Sequence, residues 1–258
     1  MKTLIIIITL GNNIERLENI YNLLKNVSNP WKLEIGINGN EINIKNIYGS
    51  VNVITYKEEE EKIYDSNKRI NGMIMEKGEL GCAWTHHNLY YQLCFEEKEY
   101  DNYLIIEDDT MFINENESIK ELNNILIFLD DNFNFEIIIL NESLFYPFIK
   151  EKQINEYFTT IKKQLFNYAS SYIISKNGAR KLLSYTPNCI NFPADDLLSN
   201  HFVFKDLNVI RSIKTIFKIN KKIHSDIDNI TLRDNFHKMK TNNEIDERVK
   251  NIFSHTSL

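Results

Sequence analysis

Four consecutive apolar residues, Tyr103-Leu104-Ile105-Ile106, run straight into three acids, Glu107-Asp108-Asp109, and this junction limits the folds open to the chain more than any other stretch. A short strand with no polar alternation is covered on both faces, as in sheets sandwiched between helices. Acids at its carboxyl end fall in the crevice where open α/β sheets bind ligands, and carboxylates suit a divalent cation. Chains leaving a sheet for solvent also favour Asp, so the cluster alone does not separate a metal site from a turn.

The neighbouring segments supply the rest of such a sheet. Residues 3 to 9 are a β-branched run, and residues 14 to 26 carry Ile14, Leu17, Ile20, Leu23 and Leu24, with Val27 just beyond, at helical spacing, a first β-α step. Lys32 to Ile37 and Val51 to Tyr56 read as short strands, with a charged, solvated stretch from Lys57 to Lys62. Residues 79 to 97 predict a helix sandwiched against the sheet. A second helix from about Ser118 to Asp130 is opened by a Ser118/Glu121 capping box. Residues 136 to 140 read as another strand. The alternation through residue 140 predicts a mainly parallel sheet with helices on both faces. Beyond it the rhythm loosens, and residues 141 to 167, with Tyr146-Pro147-Phe148, fit either a substrate-side excursion or an outer helix. Tyr168 to Ile174 reads as a strand, Lys176 to Leu183 as a helix, Pro193 as the first turn of another, and Val209 to Ile219 as a last strand. One domain over residues 1–233 and a peripheral tail over 234–258 are expected.

Composition removes several classes. With 258 residues, 43% of them hydrophobic, the chain can bury a large core, and its net charge of -6 offers no general attraction to nucleic acid or anionic membrane. The apolar start Leu4–Ile8 is too short to span a bilayer. Cys82, Cys94 and Cys189 form no C-x-x-C pair, which argues against a disulfide framework and a structural zinc site. A soluble, intracellular, cytoplasmic protein is expected, and the richness in Ile, Asn and Lys fits an AT-rich genome such as that of a large DNA virus. The first loop, Thr9-Leu10-Gly11-Asn12-Asn13, has neither the dinucleotide nor the P-loop glycine pattern. A nucleoside diphosphate would then need charge compensation from elsewhere, and a metal held by Glu107 and Asp109, two residues apart on one side of an extended segment, supplies it.

Five motifs occur in order. They are Gly78-Glu79-Leu80-Gly81-Cys82-Ala83-Trp84-Thr85-His86, the acidic Glu107-Asp108-Asp109, the stretch Tyr172-Ile173-Ile174-Ser175-Lys176-Asn177-Gly178-Ala179-Arg180-Lys181-Leu182, then Asp195-Asp196-Leu197-Leu198, and Ser225-Asp226-Ile227. In these the chain resembles glycosyltransferase family 25, which includes lipooligosaccharide sugar transferases and procollagen hydroxylysine galactosyltransferases. The resemblance implies a GT-A-like α/β fold, a nucleoside-diphosphate sugar donor and inverting transfer. The usual arginine- and aspartate-rich segment after the first strand is reduced to Asn12, Asn13, Glu15 and Arg16.

Roles follow within that resemblance. Mn²⁺ or Mg²⁺ is expected on Asp109 and Glu107, with His224 completing the shell from the C-terminal side. Thr9, Leu10, Arg16, Gly78, His86 and Asp108 are the donor-binding candidates; His86 would touch donor phosphate or orient a carboxylate, and Asp108 would contact ribose or serve local structure. Asp195 or Asp196, at a helix N-terminus, is the candidate base, one of them being a helix cap, and Glu79 a further functional acid. Cys82 reads as core packing. The expected donor is UDP-galactose or UDP-glucose and the acceptor a glycan or a hydroxylysine of a collagen-like protein. A non-catalytic nucleotide-sugar-binding relative is the first alternative. A Mg²⁺-dependent phosphoryl-transfer or receiver-like domain is the second.

Overall fold

The computed structural model describes residues 1–11, 13–42, 56–57, 62–63, 77–130, 133–142, 150–161, 169–185, 194–199, 207–220 and 222–223. Strand β1 (Thr3–Thr9) leads through a turn at Gly11, whose positive φ suits glycine, into helix α1 (Ile14–Leu24). Asn13 caps that helix, its side-chain oxygen accepting from the Glu15 and Arg16 amides. Strand β2 (Trp31–Ile35) follows, then the two-residue strands β3 (Tyr56–Lys57) and β4 (Lys62–Ile63), which pair with each other. Residues 51–55 of the strand expected there, and 58–61 of the charged stretch, lie outside the described residues.

Helix α2 (Lys77–Tyr91) ends in a π-helical turn over Gln92–Glu96, dividing the helix expected over 79–97. The strand β5 (Asn102–Glu107) then delivers the acids, and β6 (Thr110–Phe112) leaves the turn they form. Helix α3 (Glu115–Asp130) begins one turn before the expected capping box, so Ser118 and Glu121 lie inside it. Asn114-x-x-Glu117 is the pair at the true start. The Asn114 side-chain amide bonds Glu117, and the Ser118 hydroxyl takes the Asn114 N–H. Strand β7 (Ile137–Ile139) is next. The undecided segment forms two further strands, β8 (Lys150–Gln153) and β9 (Phe158–Ile161); Tyr146-Pro147-Phe148 lies outside the described residues.

Strand β10 (Ser171–Ser175) passes directly into helix α4 (Lys176–Tyr185). The Ser175 hydroxyl accepts the Gly178 amide and donates to the Phe135 carbonyl, while a Cβ at Gly178 would overlap the Glu136 carbonyl. The Ser-x-x-Gly-Ala motif is therefore a helix start locked against the residues before β7. Helix α5 (Ala194–Ser199) follows, with Pro193 outside the described residues. The single strand expected over 209–219 is two, β11 (Val209–Ser212) and β12 (Phe217–Ile219), because β12 leaves the main sheet to pair with β6.

The main sheet has eight strands in the order β2-β1-β5-β10-β7-β11-β9-β8. Parallel pairing joins β2, β1 and β5, and also β7 and β11, while β10 and β9 run antiparallel to their neighbours. Six strands share one direction, so the sheet is mainly parallel with two reversed strands. Period-two alternation sends Ile6, Ile105, Tyr172 and Ile139 to one core with α2, α4 and α5. Ile5, Ile7, Leu104 and Ile138 go to the other with α1 and α3. This is the α/β sandwich expected of a GT-A-like chain. No helix among the described residues is long and apolar enough to cross a membrane.

Candidate active site

From β1 the chain crosses to β2 on one side, and β5 pairs on the other, so a crevice opens at the carboxyl ends of these three strands. A pocket occupies it, lined by Thr9 and Leu10 at the end of β1, Gly36 to Asn40 after β2, Gly78, Cys82 and Thr85 of α2, and Glu107 to Asp109 at the end of β5. Its α2 wall is fixed by close approach. A Cβ at Gly81 would overlap the Ile37 carbonyl and the Gly39 amide, and the Thr85 hydroxyl accepts the Ile37 N–H while donating to the Gly81 carbonyl. The Gly81 and Thr85 positions of the first motif thus hold the pocket loop.

The acidic turn is pinned from three directions. Asp108 and Arg16 form an ion pair, both about 95% buried. Asn19 on α1 donates to the Asp108 and Thr110 carbonyls at 3.0 and 2.7 Å. Past β12, the Asn220 N–H donates to the Asp109 carbonyl at 2.6 Å, and its side chain bonds Asn19. The Asp109 side chain contrasts with this. Its Oδ1 is buried with no hydrogen-bond partner among the described residues, a costly state for a carboxylate oxygen. Burial, reinforced by the Glu107 charge beside it, pushes the Asp109 carboxyl up to about 7 against the pull of Arg16.

Glu107 is held differently. Nε2 of His86 and the thiol of Cys82 each lie 3.4 Å from its Oε1. Behind them, His86 Nδ1 is 2.6 Å from the Tyr172 hydroxyl, which is 2.7 Å from that of Tyr90. With Nε2–H donating to Glu107, Tyr172 donates to Nδ1 and Tyr90 to Tyr172. Every donor is then matched, and the chain points at the carboxylate. Burial raises both tyrosine hydroxyls well above their ordinary range, so they stay protonated. Burial opposes ionisation of Glu107 too, but the hydrogen bonds from His86 and from the Cys82 thiol hold its carboxyl below the usual range. Burial, then Glu107, pushes the Cys82 thiol up, which makes it a poor nucleophile. Cys82 also packs on the core that contains Tyr90.

One oxygen of Glu107 restrained, one oxygen of Asp109 buried without a partner among the described residues, and both residues lining the pocket make an oxygen-ligand pair suited to a hard divalent cation. The family-25 glycosyltransferase model, described as an LPS biosynthesis protein family, matches residues 2–198. The chain belongs to glycosyltransferase family 25. This family 25 chain is 25% identical over 125 residues to human procollagen galactosyltransferase 2 and 26% identical over 129 residues to Danio rerio procollagen galactosyltransferase 1. The matches cover 48% and 50% of it and only 19% and 21% of those relatives. Among solved structures it is similar to Staphylococcus aureus TarS 1–349, at 14% identity and TM-score 0.43 over 84% of this chain and 60% of that one. Another is a glycosyltransferase involved in glycosylation of the major capsid of PBCV-1, at 11% identity and TM-score 0.38 over 82% of each.

In the family 25 chain the predicted site residues separate by position. Thr9, Leu10, Arg16, Gly78, Asp108, Glu107 and Asp109 meet at the pocket. Arg16, expected as a donor contact, is buried and paired with Asp108. His86 lies behind Glu107, 1% exposed, and bonds that carboxylate. Glu79 follows Gly78 in the first turn of α2, half-buried, and is not one of the pocket-lining residues. Asp195 on α5 is near enough to Cys82 for its charge to help raise the thiol. The Asp196 side chain, His224 and Ser225-Asp226-Ile227 lie outside the described residues. Reading the sequence missed Asn19, Asn220, Tyr90, Thr85 and Tyr172 as supports. Tyr172 and Thr85 stood inside quoted motifs, which was the available signal; Asn19 and Asn220 carried none, since their contacts join residues about 90 to 200 apart.

Proposed function

We propose that the chain is a metal-dependent inverting hexosyltransferase, taking galactose or glucose from the UDP-sugar to a hydroxyl of a glycan or of hydroxylysine in a collagen-like protein. The observation that carries this reading is the buried Asp109 oxygen, without a hydrogen-bond partner among the described residues, in a pocket at the strand ends that Glu107 also lines. These atoms fit Mn²⁺ or Mg²⁺, and the bound ion would supply Lewis-acid compensation for charge building on the leaving diphosphate. Asp109 and Glu107 would hold it. Asn220, bonded to the Asp109 carbonyl, stands four residues before His224, which supports His224 as a ligand from that side.

The chain's own residues would divide the remaining work. Thr9, Leu10 and Gly78 border the pocket and would seat the uridine and diphosphate. The Arg16–Asp108 pair shapes the floor and keeps the acidic turn in place. His86, through Nε2–H, orients Glu107. The acceptor hydroxyl must lose its proton as it attacks the anomeric carbon, and Asp195 or Asp196 would take it, with Glu79, next to the pocket residue Gly78, a further acid. Support for Asp195 is its proximity to the Cys82–Glu107 cluster. The test is a panel of UDP-sugars with Mn²⁺, offered with glycan acceptors and hydroxylysine peptides, reading product by mass spectrometry. Hexose on an acceptor hydroxyl with inverted anomeric configuration supports the proposal. Donor binding without transfer to any acceptor, or retention of configuration, contradicts it.

A further inference from the structure

Cys82 and His86 stand one turn apart on α2 and converge on one oxygen. Sγ and Nε2 each lie 3.4 Å from Glu107 Oε1, and the three atoms are all within 4.8 Å of one another. The clamp proposed for a hard cation uses neither the sulfur nor the imidazole as a ligand. A tetrahedral zinc ion, with ligands at about 2.3 Å for sulfur and about 2.0 to 2.2 Å for nitrogen and oxygen, spaces its S···O and N···O edges at roughly 3.4 to 3.6 Å. The two edges to Oε1 are close to that spacing, and the third, Sγ to Nε2, lies within 4.8 Å and would close to about 3.5 Å by side-chain rotation as an ion binds. We propose that Cys82, His86 and Glu107 form a thiolate-containing site for zinc-class ions, adjacent to Asp109 and sharing Glu107 with it.

Three further features fit such a site. The second ring nitrogen of His86 already has a hydroxyl partner, Tyr172, as ligating imidazoles require to fix their orientation. Cys82 and Glu107 both line the pocket, so an ion can enter from it. Sulfur and imidazole favour zinc over Mg²⁺ and Mn²⁺, which makes the two positions chemically distinct. Proton balance is simple. As the Zn–S bond forms, the Cys82 thiol proton leaves to solvent. The neutral imidazole keeps its one proton, now on Nδ1, donating to Tyr172, and the hydroxyl chain reverses. Zinc here would draw Glu107 away from Asp109 and weaken Mn²⁺ binding.

Cobalt reports on this site without relying on glycosyl transfer, so its result is separable from the activity proposed above. Co²⁺ titrated into the metal-free full chain should produce, at one equivalent, near-ultraviolet thiolate-to-cobalt charge transfer and the intense visible bands of tetrahedral coordination. One equivalent of Zn²⁺ should displace both. The charge-transfer band should vanish in Cys82→Ser and persist in Cys94→Ser. Tyr172→Phe should weaken zinc binding about ten-fold. Absence of the band at saturating Co²⁺, or its survival in Cys82→Ser, overturns the proposal. Zinc X-ray absorption on the wild-type chain needs no variant; one sulfur scatterer at about 2.3 Å supports the site, and a shell of nitrogen and oxygen alone refutes it.

Discussion

At the residue scale, the acidic triplet divides its labour. Asp108 is neutralised by Arg16 in a buried pair, and removing one member takes the compensating charge from the other. Arg16→Met should therefore cost about 3–5 kcal/mol in urea unfolding, while Arg16→Met combined with Asp108→Leu should recover most of the loss. Equal losses in the single and double variants would show that the pair does not hold the turn. Asp109 sets a pH dependence. Its folded pKa, raised to about 7, exceeds the ordinary value of 3.8, so the folded state holds a proton that the unfolded chain has released between those values. Its contribution to stability is present below the unfolded pKa and lost as pH rises through about 7. A metal on Asp109, as proposed, must displace that proton, so the rise in Tm on adding Mn²⁺ should be larger at pH 8 than at pH 6, and Asp109→Asn should abolish the difference. A pH-independent shift would count against Asp109 as ligand. The triplet itself was legible because an apolar run delivers it. Its partners were not, since Arg16 and Asn220 reach it from segments that no local pattern connects.

At the element scale, two motif glycines have the same physical reason and different consequences. Gly81 lets α2 touch the loop from Ile37 to Gly39 that lines the pocket, whereas Gly178 lets α4 touch Glu136. In both, a methyl group meets backbone, which cannot rotate away, and such overpacking costs about 1–3 kcal/mol. Gly81→Ala and Gly178→Ala should both lower Tm, but only Gly81→Ala should weaken UDP binding in calorimetry. Equal binding by both variants would contradict the assignment of α2 as the pocket wall. The helices were readable from apolar spacing, though their starts were less so. Around α3, Asn114-x-x-Glu117 and Ser118-x-x-Glu121 both satisfy the capping pattern, and only tertiary placement selects the first.

At the scale of the molecule, the central strands were legible because double-sided burial leaves them apolar. The edge was not. Strand β8 reads Lys150-Glu151-Lys152-Gln153 and is exposed throughout, the charged composition that guards an open sheet edge and erases the strand signal. The reversal of β10 was not legible either, since an apolar run does not record its direction. The sheet brings the ends of β1, β2 and β5 together, so a ligand bound there should stabilise the whole fold; Mn²⁺ with UDP at about 100 times Kd should add about 2.7 kcal/mol. The most direct test is UDP release from UDP-galactose and UDP-glucose, with acceptor present, by the wild-type chain with Mn²⁺, the same with EDTA, and Asp109→Asn with Mn²⁺. Release that requires the metal and falls at least about 100-fold in the variant is predicted, the loss expected when an electrostatic stabiliser of the leaving group is removed. Release undiminished by EDTA or by Asp109→Asn would contradict a metal-dependent transferase built on this turn.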